Sequence, residues 1–275
     1  AQVINGRMLR GLNISGAIPN EFGDVTQLNI LDLTYNYLNG TIPTFFTRIP
    51  ITNLSIVGNR ISGSIPAELG EIASLRELIL EDNQLGGHLP QSLGNLSNLP
   101  KIRLSANNFT GTIPEAYGNL KNLIDFSIDG STLSGKIPNF IGNWTELLYM
   151  DMEGTGMEGP IPSTISLLTN LKELRISDLK GTTTMAFPNL KNLKSLERLI
   201  LRNCFITGPI PIYIGEMTNL KTLDLSFNML AGSIPESFRN LNLINHMFLN
   251  NNSLSGAIPE WVLQNQYNID LSYNN

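Results

Sequence analysis

Residues 75–90 read LRELILEDNQLGGHLP. In Leu78-Ile79-Leu80 the leucines sit two apart, as in a short strand that turns every second side chain inward. Three residues on, Asn83 carries an amide that is both donor and acceptor. It suits backbone groups that strand pairing leaves unsatisfied in the adjacent turn. Gly87 permits a turn, and Pro90 stops further strand growth. Such a segment cannot bury its own leucines. It needs a neighbour of the same form.

The chain supplies these neighbours. An Ile-Pro or Leu-Pro pair recurs at Ile18, Ile42, Ile65, Leu89, Ile113, Ile137, Ile161, Ile210, Ile234 and Ile258. The steps are 23 or 24 residues, except for one of 49 that holds an extra unit with Phe187-Pro188 in the pair's place. That unit carries a short insertion around Gly181-Thr182-Thr183-Thr184. The full frame returns at Leu28, Leu31, Leu33, Asn36, Leu38, Gly40 and Ile42, and again at Leu220, Leu223, Leu225, Asn228, Leu230, Gly232 and Ile234. This is the leucine-rich-repeat pattern. It predicts a solenoid with a parallel sheet on a concave face and turns and short 3-10 segments on the convex side. Burying a leucine is worth about 1.5–3 kcal/mol, so several per unit offset the ordering cost once units stack. The expectation is one solenoid domain over 1–275, with about ten complete repeats and partial repeats at both ends. Neither end reads as a polar cap, so a longer parent is expected in both directions.

Composition narrows the function. The chain has 275 residues, 41% hydrophobic, with a formal charge of -5. That suits a folded protein and gives no reason to expect nucleic acid or an anionic membrane as partner. No apolar run is long enough to span a bilayer, so any membrane attachment would come through a span outside this chain. The N-terminal residues do not read as a signal segment. Cys204 is alone, which excludes an internal disulfide and reads as a small buried side chain. Gly154-Thr155-Gly156-Met157-Glu158-Gly159 matches a dinucleotide fingerprint, but the repeat frame accounts for each residue. No cofactor is expected. His88 and His246 lack partner ligands for a metal, and no catalytic residue is assigned.

The form xLxGxIPxxLGxLxxL, at Leu85 to Leu99 and Ile206 to Leu220, resembles the plant-type subclass of these repeats. Residues 139–145 (NFIGNWT), 174–179 (LRISDL) and 223–228 (LDLSFN) are similar to the ectodomain of plant leucine-rich-repeat receptor-like kinases that carry a malectin-like domain. That resemblance implies a parent with a signal peptide, a cysteine-paired cap, a malectin-like domain, one membrane span and a cytoplasmic serine/threonine kinase. It implies a non-enzymatic domain on the extracellular side of the plasma membrane, with an oligosaccharide or peptide ligand and a co-receptor kinase ectodomain as partners. The alternative is a cell-wall binder similar to polygalacturonase inhibitors.

The candidate site lies on the concave face, where residues between and beside the strand leucines point outward. Asp32 with Thr34, Asp224 with Ser226 and Asp270 with Ser272 repeat one polar pairing and read as structural. The middle departs from it. Asp125, Asp129, Asp151 and Glu153, with Tyr149, form an acidic zone. Glu81, Lys101 and Arg103 flank it on one side, and Arg175, Arg198 and Arg202 on the other. Two readings stay open: opposite charges paired across strands, or a docking strip anchored by arginine and tyrosine. The ladder asparagine lapses at Ser131, Thr155, Leu179 and Cys204, which suggests a local change in curvature. Sequons begin at Asn13, Asn39, Asn53, Asn95, Asn108, Asn143 and Asn251. Most fall in predicted turn or convex segments where a glycan fits, with Asn53 at a strand edge the exception.

Overall fold

The computed structural model describes residues 6–264 and 268–275. The chain divides into two compact units, Ala1–Gly135 and Lys136–Asn275. In the first, parallel strands Gly6–Met8, Ile30–Asp32, Asn53–Ser55, Glu77–Ile79, Lys101–Arg103 and Asp125–Ser127 lie side by side in sequence order. In the second, the same role falls to Tyr149–Met152, Glu173–Ser177, Arg198–Arg202, Thr222–Asp224, His246–Phe248 and Asn268–Asp270. The register stacks each frame position on its copy: Leu31 on Leu54, Leu54 on Leu78, Leu78 on Ile102. These central side chains are 0–1% exposed, while the residues on either side remain half-open. This is the predicted repeat solenoid, with leucines sheltering one another between coils.

After the Ile-Pro or Leu-Pro pairs up to Pro235 the chain makes a five-residue 3-10 turn, as at Ala67–Glu71, Gln91–Asn95 and Ile212–Glu216, and after Pro259 a short α-helix, Glu260–Gln264. Proline precedes the turn because its fixed φ, -71° at Pro90, already suits the entry. The irregular unit around Pro188 lacks this turn. The third turn residue points inward, and Leu69, Leu93 and Ile214 are fully buried there. The glycine after it is required by packing. A Cβ on Gly94 would lie 2.4 Å from the carbonyl oxygen of Ala116 in the next coil.

The ladder asparagine works in both directions. The buried Asn107 side chain donates to the carbonyls of Leu80, Leu104 and Ser105 at 3.0–3.1 Å and accepts from Leu85 N–H at 3.0 Å. Asn36, Asn83 and Asn228 repeat the pattern. The N–H it accepts belongs to the preceding coil, just beyond that coil's turn. This explains a feature that the sequence reading did not anticipate: a second row of short parallel strands. In the first unit these are Ser15–Ala17, Tyr37–Asn39, Ser62–Gly63, Gln84–His88 and Asn108–Thr110. In the second they are Met185–Ala186, Ile206–Pro209, Met229–Gly232 and Ser253–Leu254. Each strand whose first residues are held by the next coil's asparagine is extended. Where that position is Thr155 or Leu179, pairing of the preceding segment shrinks to the single-residue bridges from Glu158 to Lys136 and Lys180, whereas Asn108–Thr110, before Ser131, still pairs over three residues. The shorter or apolar side chain cannot hold the same N–H groups.

Cys204 is buried, as expected, and donates from Sγ to the carbonyls of Ile176 (3.3 Å) and Arg202 (3.2 Å). It is a partial substitute for the asparagine amide. Burial pushes its thiol pKa well above the ordinary value, with Asp178 adding to the effect, so the reactive thiolate is suppressed.

Candidate recognition surface

In the first unit the open face is a set of ion pairs. Lys101 Nζ lies 3.2 Å from Glu77 Oε1. Arg103 is committed to Asp125, donating from Nε and Nη2 to one carboxylate oxygen at 2.9 and 2.8 Å, and reaches Glu81 only at 3.9 Å. Asp125 is itself only 5% exposed. It anchors Arg103 from beneath. Asp129 accepts from Ser127 Oγ at 2.9 Å and from Ser105 Oγ, which also lies against Ser127 Oγ. Glu81 is half-buried. Desolvation raises its pKa, Arg103 pulls the other way, and Asp129 and Asp125 add to the rise.

Next to this network the face is mixed. Met8, Ile30, Tyr35, Val57 and Ile79, interspersed with Asp32, Thr34, Asn53 and Ser55, line a recess of about 1030 Å³ including its open mouth, with Arg10 at one end and Glu81 and Arg103 at the other. Arg10 lies over the Tyr35 ring, 5.5 Å from its centroid. Tyr35 sits at φ 56°, in the left-handed turn just before Asn36. The ring lies across Gly58, where an added Cβ would come within 2.5 Å of it.

In the second unit Arg175 is the hub. Its guanidinium pairs with Asp151 at 3.4 Å and with Glu153. Burial lowers its pKa, but Asp151 and Glu153 more than compensate, and the net shift is upward. Arg198 reaches both oxygens of Glu173 at 3.1 and 3.2 Å. Arg202 pairs with Asp178 at 3.7 Å and lies over the Phe227 ring at 4.8 Å. Asp178 also accepts from Asn203 (2.9 Å) and Ser177 (2.8 Å). Burial would raise its pKa, but these bonds and Arg202 bring it below the ordinary carboxylate value. Tyr149 is 36% exposed at the start of its strand.

The sequence reading thus found the arginines but missed Glu77, Glu173, Asp178 and Phe227. Glu77 and Glu173 occupy the same frame position as Lys101 and Arg198, one coil earlier, and that spacing was the available signal. The polar pairs read as structural are so. Asp32 accepts from Thr34 N–H at 2.9 Å, Asp224 from Ser226 N–H at 2.9 Å, and Asp270 from Ser272 N–H at 3.0 Å. Among the sequons, Asn13, Asn39, Asn95, Asn108 and Asn143 are exposed, while Asn251 and Asn53 are half-buried. Asn39 and Asn108 lie in second-row strands rather than turns. Thr52 Oγ1 bonds Asn53 Oδ1 at 2.8 Å.

Leucine-rich-repeat family models match residues 27–49, 74–96 and 98–120, and a second such model matches 194–254. Two probable LRR receptor-like serine/threonine-protein kinases of Arabidopsis thaliana are each 58% identical over 97% of this chain. The chain spans about a quarter of their length, 26% in each case. Among solved structures, a plant peptide hormone receptor, RGFR1 in complex with RGF2, aligns with a TM-score of 0.84 at 32% identity, covering 98% of this chain and 47% of that one. The Arabidopsis receptor kinase HAESA, in complex with the peptide hormone IDA and the co-receptor SERK1, aligns with a TM-score of 0.84 at 30% identity, covering 94% and 44%. The chain is a leucine-rich-repeat solenoid, similar over nearly its whole length to part of plant receptor-like kinases.

Proposed function

We propose that this chain is the ligand-recognition region of a plant receptor-like kinase, facing the extracellular side of the plasma membrane, with the kinase elsewhere in a longer parent. The observation that carries this reading is the departure of the open faces from the repeat's bland polar pairing: arginine hubs and an apolar recess stand where Asp/Ser pairs suffice elsewhere. The identity to kinases over 97% of the chain supports it. The ligand is read as a peptide, because the structural relatives named above are described with peptide hormones. A wall oligosaccharide is the competing ligand, through the subfamily whose members carry a malectin-like domain. A co-receptor ectodomain is proposed as a second partner. The repeat frame runs unbroken across residue 135 in sequence, so the two units are read as one recognition domain.

The test is a binding screen of secreted plant peptides and wall oligosaccharides against the secreted repeats, with Asp151→Ala and Arg175→Ala as probes. A contact site in the second unit requires at least one of them to weaken binding. If a ligand binds and both leave affinity within about 0.5 kcal/mol, the hub around Arg175 is not the contact.

A further inference from the structure

We infer that the apolar recess of the first unit, closed at one end by Glu81, recognises a peptide segment in which an aliphatic side chain is followed two residues later by a lysine or arginine. This deepens the receptor reading and rests on it.

Three observations converge. The first is the floor. Ile30, Val57 and Ile79 replace the polar residues that the repeat places outward elsewhere, and with Met8 and Tyr35 they keep apolar surface in contact with water. Covering that surface with an aliphatic side chain is favourable, at about 25 cal/mol per Å².

The second is the state of Glu81. Arg103, its nearest cation, is shared: two of its donors go to Asp125, and Nη1 pairs with Glu81 only at the long distance of 3.9 Å. Lys101 is bound to Glu77. Among the described residues, no hydrogen bond reaches the Glu81 carboxylate from a protein donor within the ordinary range, although the group is half-buried and faces Asp129 and Asp125. A carboxylate in that position gains from an added cation, because the cation replaces lost hydration and offsets the two neighbouring charges. At this end an acidic side chain would meet Glu81 with Asp129 close by, while the cations of the recess are engaged, Arg103 with Asp125 and Arg10 over the Tyr35 ring at the other end. The charge complement is therefore basic.

The third is spacing. Ile79 and Glu81 are two residues apart on one face of a strand, about 7 Å. Alternate side chains of an extended peptide share one face at the same interval. Val57 lies at the Glu81 frame position one coil earlier, diagonal to Ile79 across Ser55, so the aliphatic group meets Ile79 and Val57 together.

The experiment uses three fluorescein-labelled, end-blocked peptides carrying Ile-Ser-Lys, Ile-Ser-norleucine and Ile-Ser-Glu, with fluorescence anisotropy on the whole 275-residue chain. The lysine peptide is expected to bind at least tenfold more tightly than the norleucine peptide, and the glutamate peptide more weakly than either. Glu81→Gln, which preserves shape and leaves the Arg103–Asp125 pair intact, should bring the lysine and norleucine peptides within twofold of each other. Ile79→Ser should weaken both. Acidification that protonates Glu81, whose pKa burial raises, should weaken the lysine peptide more than the norleucine peptide, because it removes the charge that holds the lysine.

Equal affinity for the lysine and norleucine peptides overturns the inference. So does binding that ignores Glu81→Gln and Ile79→Ser but is lost with Ile200→Ser in the second unit, a result that leaves the receptor reading intact. If no peptide binds while a wall oligosaccharide does, the peptide reading falls together with this recess.

Discussion

Asn107→Ala is the most searching perturbation of the fold. The side chain is 4% exposed and makes four hydrogen bonds to backbone groups, spread over its own coil and the coil before it. Removing it leaves Leu85 N–H without its acceptor, and a buried orphan donor costs about 1–3 kcal/mol. The Leu104 carbonyl loses its donor, while Leu80 O keeps Asn83 Nδ2 at 3.2 Å. Ser105 O still accepts from Asp82 N–H at 3.0 Å, so its loss is smaller. With water partly filling the gap, the sum is about 3–4 kcal/mol. Asn107→Ser should cost less, since the native Ser131 keeps one bond of this kind, to Ile128 O at 2.8 Å. The assay is urea unfolding with amide hydrogen exchange. Exchange of Leu85 should accelerate, and protection should fall through the second-row strands Gln84–His88 and Asn108–Thr110 before it falls in the main sheet. A stability loss below about 1 kcal/mol, or unchanged exchange at Leu85, refutes the claim that the amide holds the second row in place.

Other expectations follow from single sites. Gly94→Ala should destabilise by about 1–3 kcal/mol in a denaturation midpoint, because the new methyl meets the Ala116 carbonyl. Gly232→Ala, with open space but φ +81°, should cost only the backbone strain, about 1 kcal/mol. Arg103→Met leaves Asp125 buried without its partner. The cost is about 2 kcal/mol, at the low end for a broken buried pair because Arg103 is partly exposed. A neutral result by thermal melting would show that water reaches Asp125. The Asp178 carboxyl is held below its unfolded pKa, so its contribution is present above about pH 4 and is lost as pH falls through the folded value. Asp178→Asn should flatten that part of the acid limb of a stability–pH curve. Cys204 should resist iodoacetamide at pH 8 in the native chain and react promptly in urea.

Leu78, Asn83, Gly87 and Pro90 were enough to define a repeat, because each acts on its own unit or on the identical unit beside it. A period of 24 residues turns one local environment into all of them. Strand position, the inward leucines, the ladder amide, the 3-10 turn after proline and the buried Cys204 were all legible for that reason. So were the outward arginines, since strand alternation alone decides which side chains face away from the core. The second row of strands was not, because it depends on Asn side chains reaching an N–H in the neighbouring coil, a contact that no single unit displays. Nor was the choice of partner at each charge. Arg103 had Glu81, Asp125 and Asp129 within one or two coils, and only the packed geometry bound it to Asp125, buried that carboxylate and left Glu81 under-satisfied. Sequence orders residues along the chain and, through the period, across it. Which charges meet depends on side-chain rotamers and burial, and those exist only once the coils are stacked.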